Sequence, residues 1–443
     1  MRDRVLDFLS ERGTLADEQA VEYLLTQADP LGAADRVLRA FPDPPFVITL
    51  EDIRRAVGIA RAASERAFRD PPAAPRAPVP PGSIRPSFRE TVAPASDVAE
   101  DVRILKDITG HSTCEGTLAD FGRYFRHRFA TISRLLRSRP ELSGAMEMSR
   151  AKKLTRDTAI IGMVTEARTT KNGHRILEIE DETDSVSVLL PADSSMASDA
   201  IVNDEVVGVT GRSNDRGLFI AKSLVHPDLP ISKAFPGTAA HIRVGFMSDI
   251  HVGSRTFLAD RWAKFRAWAC DGDEVARSLR YLVLSGDVVD GIGVYPRQDE
   301  ELVLDDIYAQ YEALSAMLPA LPAAIQKLFD SNVTFVGNPV TLSLHGVRIL
   351  AYHGRSMDDF VSAVPALSYA RPLDAMREML RKRHLAPIYG GKTPIAPESE
   401  DHLIIDQVPD VFVTGHVHAA GVGEHRGVVL VNSSTWQAQT SFQ

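Results

Sequence analysis

Four short stretches place aspartate or histidine directly after an apolar run and beside glycine. They are SDIHVG with Asp249 and His251, LSGDVVDG with Asp287, LAYHGR with His353, and VTGHVHAAG with His416 and His418. Taken singly, each has a plain structural explanation. A strand-terminal aspartate caps a turn, and a lone histidine packs more often than it ligates. Taken together, they form a set of oxygen and imidazole donors, which suits Mn, Fe or Zn, and a carboxylate such as Asp287 can bridge two ions. Glycine beside each lets the backbone turn tightly and leaves room for an ion or a phosphate. The pattern predicts a metal centre.

These residues need strands to carry them, and the chain from residue 240 onward supplies them. RVGFMSDI, YLVLSGDVVD, NVTFVGN, VRILAYHG, DVFVTGHVH and GVVLVNSSTW are short apolar runs alternating with helical and loop segments. In such α/β arrangements ligands gather beyond the carboxyl ends of the strands. Upstream, residues 155–235 change to period-two alternation broken by KNG and SNDRG turns, which predicts about five strands in an OB-like β-barrel. Such barrels often bind single strands through aromatics on the sheet. Phe219 is the sole aromatic in its strands, so a structural or protein-binding barrel fits equally well.

Residues 1–68 read as a small helical module, with Thr14/Asp17 and Thr49/Asp52 at capping-box spacing. Residues 69–100 are a Pro/Ala-rich stretch with too few large apolar residues to offset ordering entropy, which predicts a disordered tether. Residues 101–154 hold a strand and a basic amphipathic helix, the latter with Phe121, Tyr124, Phe125, Phe129, Ile132 and Leu135 near helical spacing. That apolar stripe predicts packing on the barrel. The whole is a multidomain α/β chain.

Composition sets outer bounds. The chain has 443 residues, a net charge of −9 and two cysteines, Cys114 and Cys270, without ligand spacing. The cysteine count argues against a disulfide framework and for a reducing, cytoplasmic setting. No apolar run is long enough to cross a membrane, and the charged MRDRVLDFLSERG start is no secretory leader. The acidic balance disfavours a generic nucleic-acid coat. It leaves room for a nuclease whose bound ions supply the local positive charge.

Asp-x-His, Gly-Asp, a strand-end His and Gly-His-x-His in this order resemble the calcineurin-like metallophosphoesterase pattern. GRSMDDF, GGKTPIAPESEDHLIIDQVPDVFVTGHVH and NSSTWQAQTSFQ, with the tether, DITG and barrel segments in order, resemble the small subunit of archaeal family D DNA polymerase. The resemblance covers most of the chain. It implies a calcineurin-like phosphoesterase domain over 240–443, a β-sandwich flanked by helices. It also implies a 3′→5′ proofreading exonuclease that works with a large polymerase subunit on DNA 3′ ends, with no membrane partner. Two divalent ions, Mn²⁺ first and Zn or Fe as alternatives, are implied as cofactors. Asp249, His251, Asp287 and His418 would hold one ion, and Asp287, His353 and His416 the other. Such a pair would acidify a water and neutralise phosphodiester oxygens for in-line attack.

The resemblance has one gap. The family's Gly-Asn-His-Asp/Glu segment, whose Asn ligates the second ion and whose His contacts the scissile phosphate or leaving oxygen, has no counterpart. LSAML, ending at Leu318, runs straight into PALP. Gly337-Asn338-Pro339 has proline where histidine belongs and reads as a strand-end turn. The gap makes a catalytically silent scaffold for the large subunit the alternative function. A phosphatase would explain the metal ligands and leave the barrel and tether unexplained. Arg355 is a DNA-phosphate candidate, with an ion pair to Asp358 or Asp359 as its plain reading. Arg377, Arg381, Lys382 and Arg383 suit a helix C-terminus, and a DNA-facing role is the sharper reading. Trp262, Phe265 and Trp268 are expected in the core, His127 on a solvated face, and His345 and His384 at the surface.

Overall fold

The computed structural model describes residues 2–39 except 11, 13, 17, 28 and 29, then 47, 48 and 53, and 98–438 except 111, 113, 114, 231–234 and 318–332. The chain divides into two units, 1–88 and 89–443. In the first, helices α1 (Arg2–Ser10), α2 (Glu18–Leu25) and α3 (Pro30–Arg39) bury Val5, Leu9, Ala20, Leu24, Ala34 and Val37 in one cluster. Strand β1 (Leu15–Ala16) pairs parallel with β2 (Val47–Ile48). The tether predicted over 69–100 lies outside the described residues apart from its last three, as do Thr49 and Asp52. The chain junction at Leu318 also lies outside them.

In the second unit the alternating segment closes into a barrel of β4 (Thr158–Thr169), β5 (Arg175–Glu180), β6 (Ser185–Leu190), β7 (Val206–Ser213) and β8 (Phe219–Val225). The order β4-β5-β6-β8-β7, with β4 and β7 paired, is a Greek-key closure. Inward residues such as Ile160, Val164, Leu177, Val188, Val207 and Phe219 fill it. Because Phe219 is fully buried, it is unavailable for base stacking.

Strand β3 (Val102–Lys106) departs from the expectation that it would pack on the barrel. It pairs antiparallel with β11 (Val340–Leu344) at the edge of a six-stranded sheet. The helix that follows, α4 (Leu118–Arg137), does lie on the barrel. Its Ile132 and Leu136 pack with Ile161, Met163 and Val206, and with Ile404 beyond the barrel. The Thr117 N–H donates to Asp120 Oδ2 at 2.8 Å and fixes the start of α4.

The α/β part has four layers. Strands β9 (Arg243–Met247) and β10 (Leu279–Leu284) pair in parallel. The larger sheet runs β14-β15-β13-β12-β11-β3, with β12 (Val347–Ala351), β13 (Val411–Thr414), β14 (Ala420–His425) and β15 (Val428–Ser433). Val244, Phe246, Tyr281 and Val283 of the small sheet share one cluster with Leu342, Ile349, Val411 and Val413 of the large one, so the sheets pack face to face. Outside the small sheet lie α5 (Ala259–Asp271) and α6 (Ile307–Met317), which bring Trp262, Ala269 and Leu314 against Met247 and Leu279. Outside the large sheet lie α7 (Met357–Ala363) and α8 (Pro372–Lys382), which bury Phe360, Met376, Met379 and Leu380 against Phe412 and Leu430.

One expected strand is missing and one strand is unexpected, each for a local reason. NVTFVGN is no strand: the described residues 333–339 are irregular, and the strand begins after them at Val340. The Gly337 N–H goes to Asp107 Oδ1 and the Asn338 side chain takes the His353 N–H, so these groups serve cross-links rather than a ladder. Strand β14 was not foreseen, because Gly421 and Gly423 dilute its alternation; Leu373 of α8 covers both. Among the described residues no helix is long and apolar enough to cross a membrane.

Candidate metal centre

Each ligand candidate sits just beyond the carboxyl end of a parallel strand: Asp249 and His251 after β9, Asp287 after β10, His353 after β12, His416 and His418 after β13. The loops after β9 and β10 stay zipped together. Asp249 N–H donates to Gly286 O and His251 N–H to Asp287 O, both at 3.0 Å. This pairing sets the two aspartates side by side. It also holds Asp249, His251 and Asp287 in left-handed backbone, at φ 51°, 55° and 44°, and His416 lies there too at 65°. Non-glycine residues seldom occupy that region, and such strain persists where the surroundings over-determine it, typically at functional sites.

Two clusters result, with the ligand atoms of each within 4.8 Å of one another: Asp249, His251 and His418, and Asp249, Asp287 and His353. Asp249 belongs to both, whereas the resemblance implies Asp287 as the shared carboxylate. His418 Nε2 lies 3.3 Å and His251 Nε2 3.7 Å from Asp249 Oδ1, while His353 Nε2 lies 3.2 Å from Asp287 Oδ2. His416 falls in neither cluster. Its ring meets His353 edge-on at 5.2 Å, and its Nε2 stands 3.2 Å from Asp358.

The donor set fits divalent cations. Asp249 Oδ1 and His251 Nε2 are buried and make no hydrogen bond, which leaves lone pairs aimed at a common space. The cradle is shaped by glycine: a Cβ at Gly415 would come within 2.3 Å of Asp249 Oδ2, and one at Gly286 within 2.6 Å of His353 Nδ1. The electrostatics agree. Burial alone would raise the Asp249 carboxyl, yet the imidazoles of His251, His418 and His353 set around it hold it well below the usual range. Burial would likewise lower His251, but Asp249, Asp290 and Asp287 push it up to about 9. Asp287, half-exposed, is lowered by His353 against its partial desolvation, and the buried His353 is raised against its burial by Asp287. Carboxylates that favour protonated imidazoles so strongly also favour a metal ion in the proton's place.

Two carboxylate roles escaped the sequence reading. Asp290 Oδ1 accepts from His251 Nδ1 at 2.9 Å, and Asp358 holds His416. Neither carries a spacing signal; DVVDG and SMDDF reveal them only once their partners are known. The carboxyl-terminal segment also reaches the site: Thr435 Oγ1 and the Trp436 N–H both donate to Asp249 O at 2.9 Å.

Other candidates settle elsewhere. Arg355 is exposed two residues beyond His353. Neither aspartate suggested as its partner is spent on it: Asp358 meets His416, and Asp359 accepts the backbone N–H of Lys392 and Thr393. The basic end of α8 serves internal contacts: Arg377 pairs with Asp374, Arg381 with Asp199, and Lys382 with Glu205 and Glu378. Asn338 Oδ1 is taken by the His353 N–H at 2.9 Å. His384, expected at the surface, is buried against Asp401, and His345 is half-buried against the Tyr281 hydroxyl. His127, expected on a solvated face, accepts the Asp401 N–H through Nδ1.

Comparison with known proteins gives a consistent set of relatives. Residues 305–421 match the family of the B subunit of DNA polymerase alpha/epsilon. The chain is 39% identical over 377 residues to the DNA polymerase II small subunit of Archaeoglobus fulgidus, covering 77% of this chain and 75% of that protein. It is 41% identical over 379 residues to the same-named protein of Methanothermobacter thermautotrophicus, covering 77% and 78%. With that of Halobacterium salinarum it is 37% identical over 480 residues, covering 99% and 93%. That alignment spans 480 positions against 443 residues here, so at least 37 positions of the relative face no residue of this chain.

Proposed function

The chain belongs to the family of archaeal DNA polymerase II small subunits, and we propose that it is the metal-dependent 3′→5′ exonuclease subunit of a two-subunit replicative polymerase. Its partners in this reading are a large polymerase subunit and DNA 3′ ends, and its α/β part is a calcineurin-like metallophosphoesterase domain. The observation that carries the reading is the convergence of Asp249, His251, Asp287, His353 and His418 from separate strand ends, with Asp249 Oδ1 and His251 Nε2 left without hydrogen bonds.

Asp249, His251 and His418 would hold one divalent ion, and Asp249, Asp287 and His353 a second, with Mn²⁺ the first expectation and Zn or Fe the alternatives. Such ions supply Lewis acidity toward a phosphodiester and toward a water. The chain's own residues do the rest. The zipped loops after β9 and β10 fix the carboxylates before substrate arrives. The half-exposed Asp287 marks the open side of the site. Arg355, exposed two residues beyond His353, would meet a phosphate of the substrate strand.

A second reading, a catalytically silent scaffold for the large subunit, draws support from the positions of the Halobacterium relative that face no residue here. One experiment separates the two. The purified chain, alone and with its large subunit, is given Mn²⁺ and a 3′-mismatched, end-labelled oligonucleotide, beside Asp287→Asn and His353→Ala. Nucleotide release by wild type that both variants lose supports the exonuclease. Equal inactivity of all three, with the large partner still held, sinks it in favour of the scaffold.

A further inference from the structure

His251 and His353 occupy matching positions in the two clusters, yet the groups behind them differ in charge. His251 Nδ1 lies 2.9 Å from Asp290 Oδ1, whereas His353 Nδ1 lies 3.2 Å from the neutral carbonyl oxygen of Ser285. An imidazole ligates through one nitrogen while the other carries its proton, and the partner of that proton selects which is which. With Nδ1–H given to Asp290, Nε2 of His251 is left facing Asp249, the buried atom that makes no hydrogen bond.

Asp290 is itself held in place. Its Oδ2 accepts from Gln298 Nε2 at 2.9 Å, and its Oδ1 accepts from Gln437 Nε2 at 3.1 Å. The side chain is 3% exposed, and among the described residues no Lys or Arg pairs with it. A buried carboxylate without a cationic partner is costly, so its counter-charge must come through His251. Gln437 belongs to the carboxyl-terminal segment, and its Nε2 also reaches Ser254 Oγ at 2.9 Å. One amide thus ties the chain end to the loop that carries the ligand.

We propose that Asp290, positioned by Gln298 and Gln437, makes the Asp249–His251–His418 cluster the tighter of two unequal divalent-cation sites. It does so by holding the Nδ1–H of His251 and strengthening Nε2 as a donor. This inference rests on the metal-centre reading above and adds to it an order of filling: the cluster at His251 loads first and the cluster at His353 second.

The test is isothermal titration of the full chain with Mn²⁺, with circular dichroism to verify folding. Wild type is compared with Asp290→Asn, Gln437→Leu and His353→Ala. Asp290→Asn keeps the shape of the side chain and removes its charge. It should weaken the tighter step roughly 10–100-fold, the usual effect of removing such an outer partner, and leave the weaker step unchanged. Gln437→Leu should weaken the tighter step by less, and His353→Ala should weaken only the weaker step. If folded Asp290→Asn titrates like wild type, or loses both steps equally, the proposal is overturned. Should Asp290→Asn fail to fold, Gln437→Leu decides by the same pattern. If wild type takes up no Mn²⁺ at all, the metal reading itself fails, an outcome distinct from loss of the order.

Discussion

His416 gives its Nε2 to the Asp358 carboxylate at 3.2 Å, so only Nδ1 of that ring remains for a metal ion. Burial would raise the Asp358 carboxyl. The hydrogen bond from His416, with Tyr369 and Lys392 nearby, holds it below its ordinary value. An ionised Asp358 therefore orients the imidazole as an outer carboxylate orients a ligating histidine. Asp358→Asn should lower nuclease activity roughly 10–100-fold with little change in melting temperature. Initial rates on a labelled oligonucleotide, beside a thermal melt, check this. An unchanged rate would make the pairing incidental.

Gly286 is a position where strained backbone and a ligand candidate meet closely. Its φ is +120°, and an added Cβ would lie 2.6 Å from His353 Nδ1. Gly286→Ala should cost roughly 1–3 kcal/mol in backbone strain and displace the His353 ring, with loss of activity close to that of His353→Ala. Gly217→Ala, at φ +77° with nothing within 4 Å, is the control. It should show strain in urea unfolding and keep full activity. If both variants retain activity, His353 tolerates displacement and is not a ligand.

What could be read ahead of the structure followed from how local each signal is. Asp249, His251, Asp287, His353 and His418 stood out because an apolar strand, an ionisable residue and a glycine lie within a few positions of each other. The barrel stood out because its alternation and its KNG and SNDRG turns are equally local. Asp290 and Asp358 were illegible because each acts through a partner far along the chain: His251 and Gln437 for the first, His416 for the second. For the same reason β3 could not be assigned to its sheet, since its partner β11 follows more than 200 residues later. His384 in RKRHL looked solvated because its neighbours are charged. Lys382 and Arg383 are themselves buried in contacts that only the tertiary fold provides.

Arg128 shows how α4 is locked to the α/β part. The side chain is fully buried, with Nε to Asp401 at 2.7 Å, one terminal nitrogen to Pro387 O at 2.6 Å and the other to the Tyr124 hydroxyl at 3.3 Å. Arg128→Leu leaves Asp401 buried without its guanidinium and should cost about 3–5 kcal/mol. Arg128→Lys should recover little, because a compact ammonium cannot span these acceptors. The double variant Arg128→Leu, Asp401→Leu should be more stable than Arg128→Leu alone, because the stranded charge is gone. Urea unfolding of the three variants measures each step. A single-variant loss below about 1 kcal/mol, the range of exposed pairs, would mean the pair does not lock the helix.

The same cluster sets an acid limit on stability. His384 Nε2 lies 2.7 Å from Asp401 Oδ2, and its Nδ1 accepts the Ala386 N–H at 3.1 Å, a pattern that only the neutral ring satisfies. Burial pushes this histidine down to about 4; Asp401 opposes the shift, and the Arg128 charge that already compensates Asp401 adds to it. The folded pKa is thus below the ordinary 6.5, and the sign follows. Above pH 6.5 the ring is neutral in both states and the contribution is fully present. Between pH 6.5 and 4 the unfolded chain takes up a proton that the folded chain refuses, so stability falls with pH, by up to about 3 kcal/mol. Asp401, held far below its ordinary 3.8, adds a loss only below that pH. His251 runs the other way: its folded pKa of about 9 gives stability below 6.5 that is lost as pH rises through 9, outside this window. His384→Gln keeps a donor for Asp401 and removes the titration, so its melting temperature should vary less between pH 6.5 and 4 than that of wild type. Parallel curves across that interval would mean that His384 is not the group that refuses the proton.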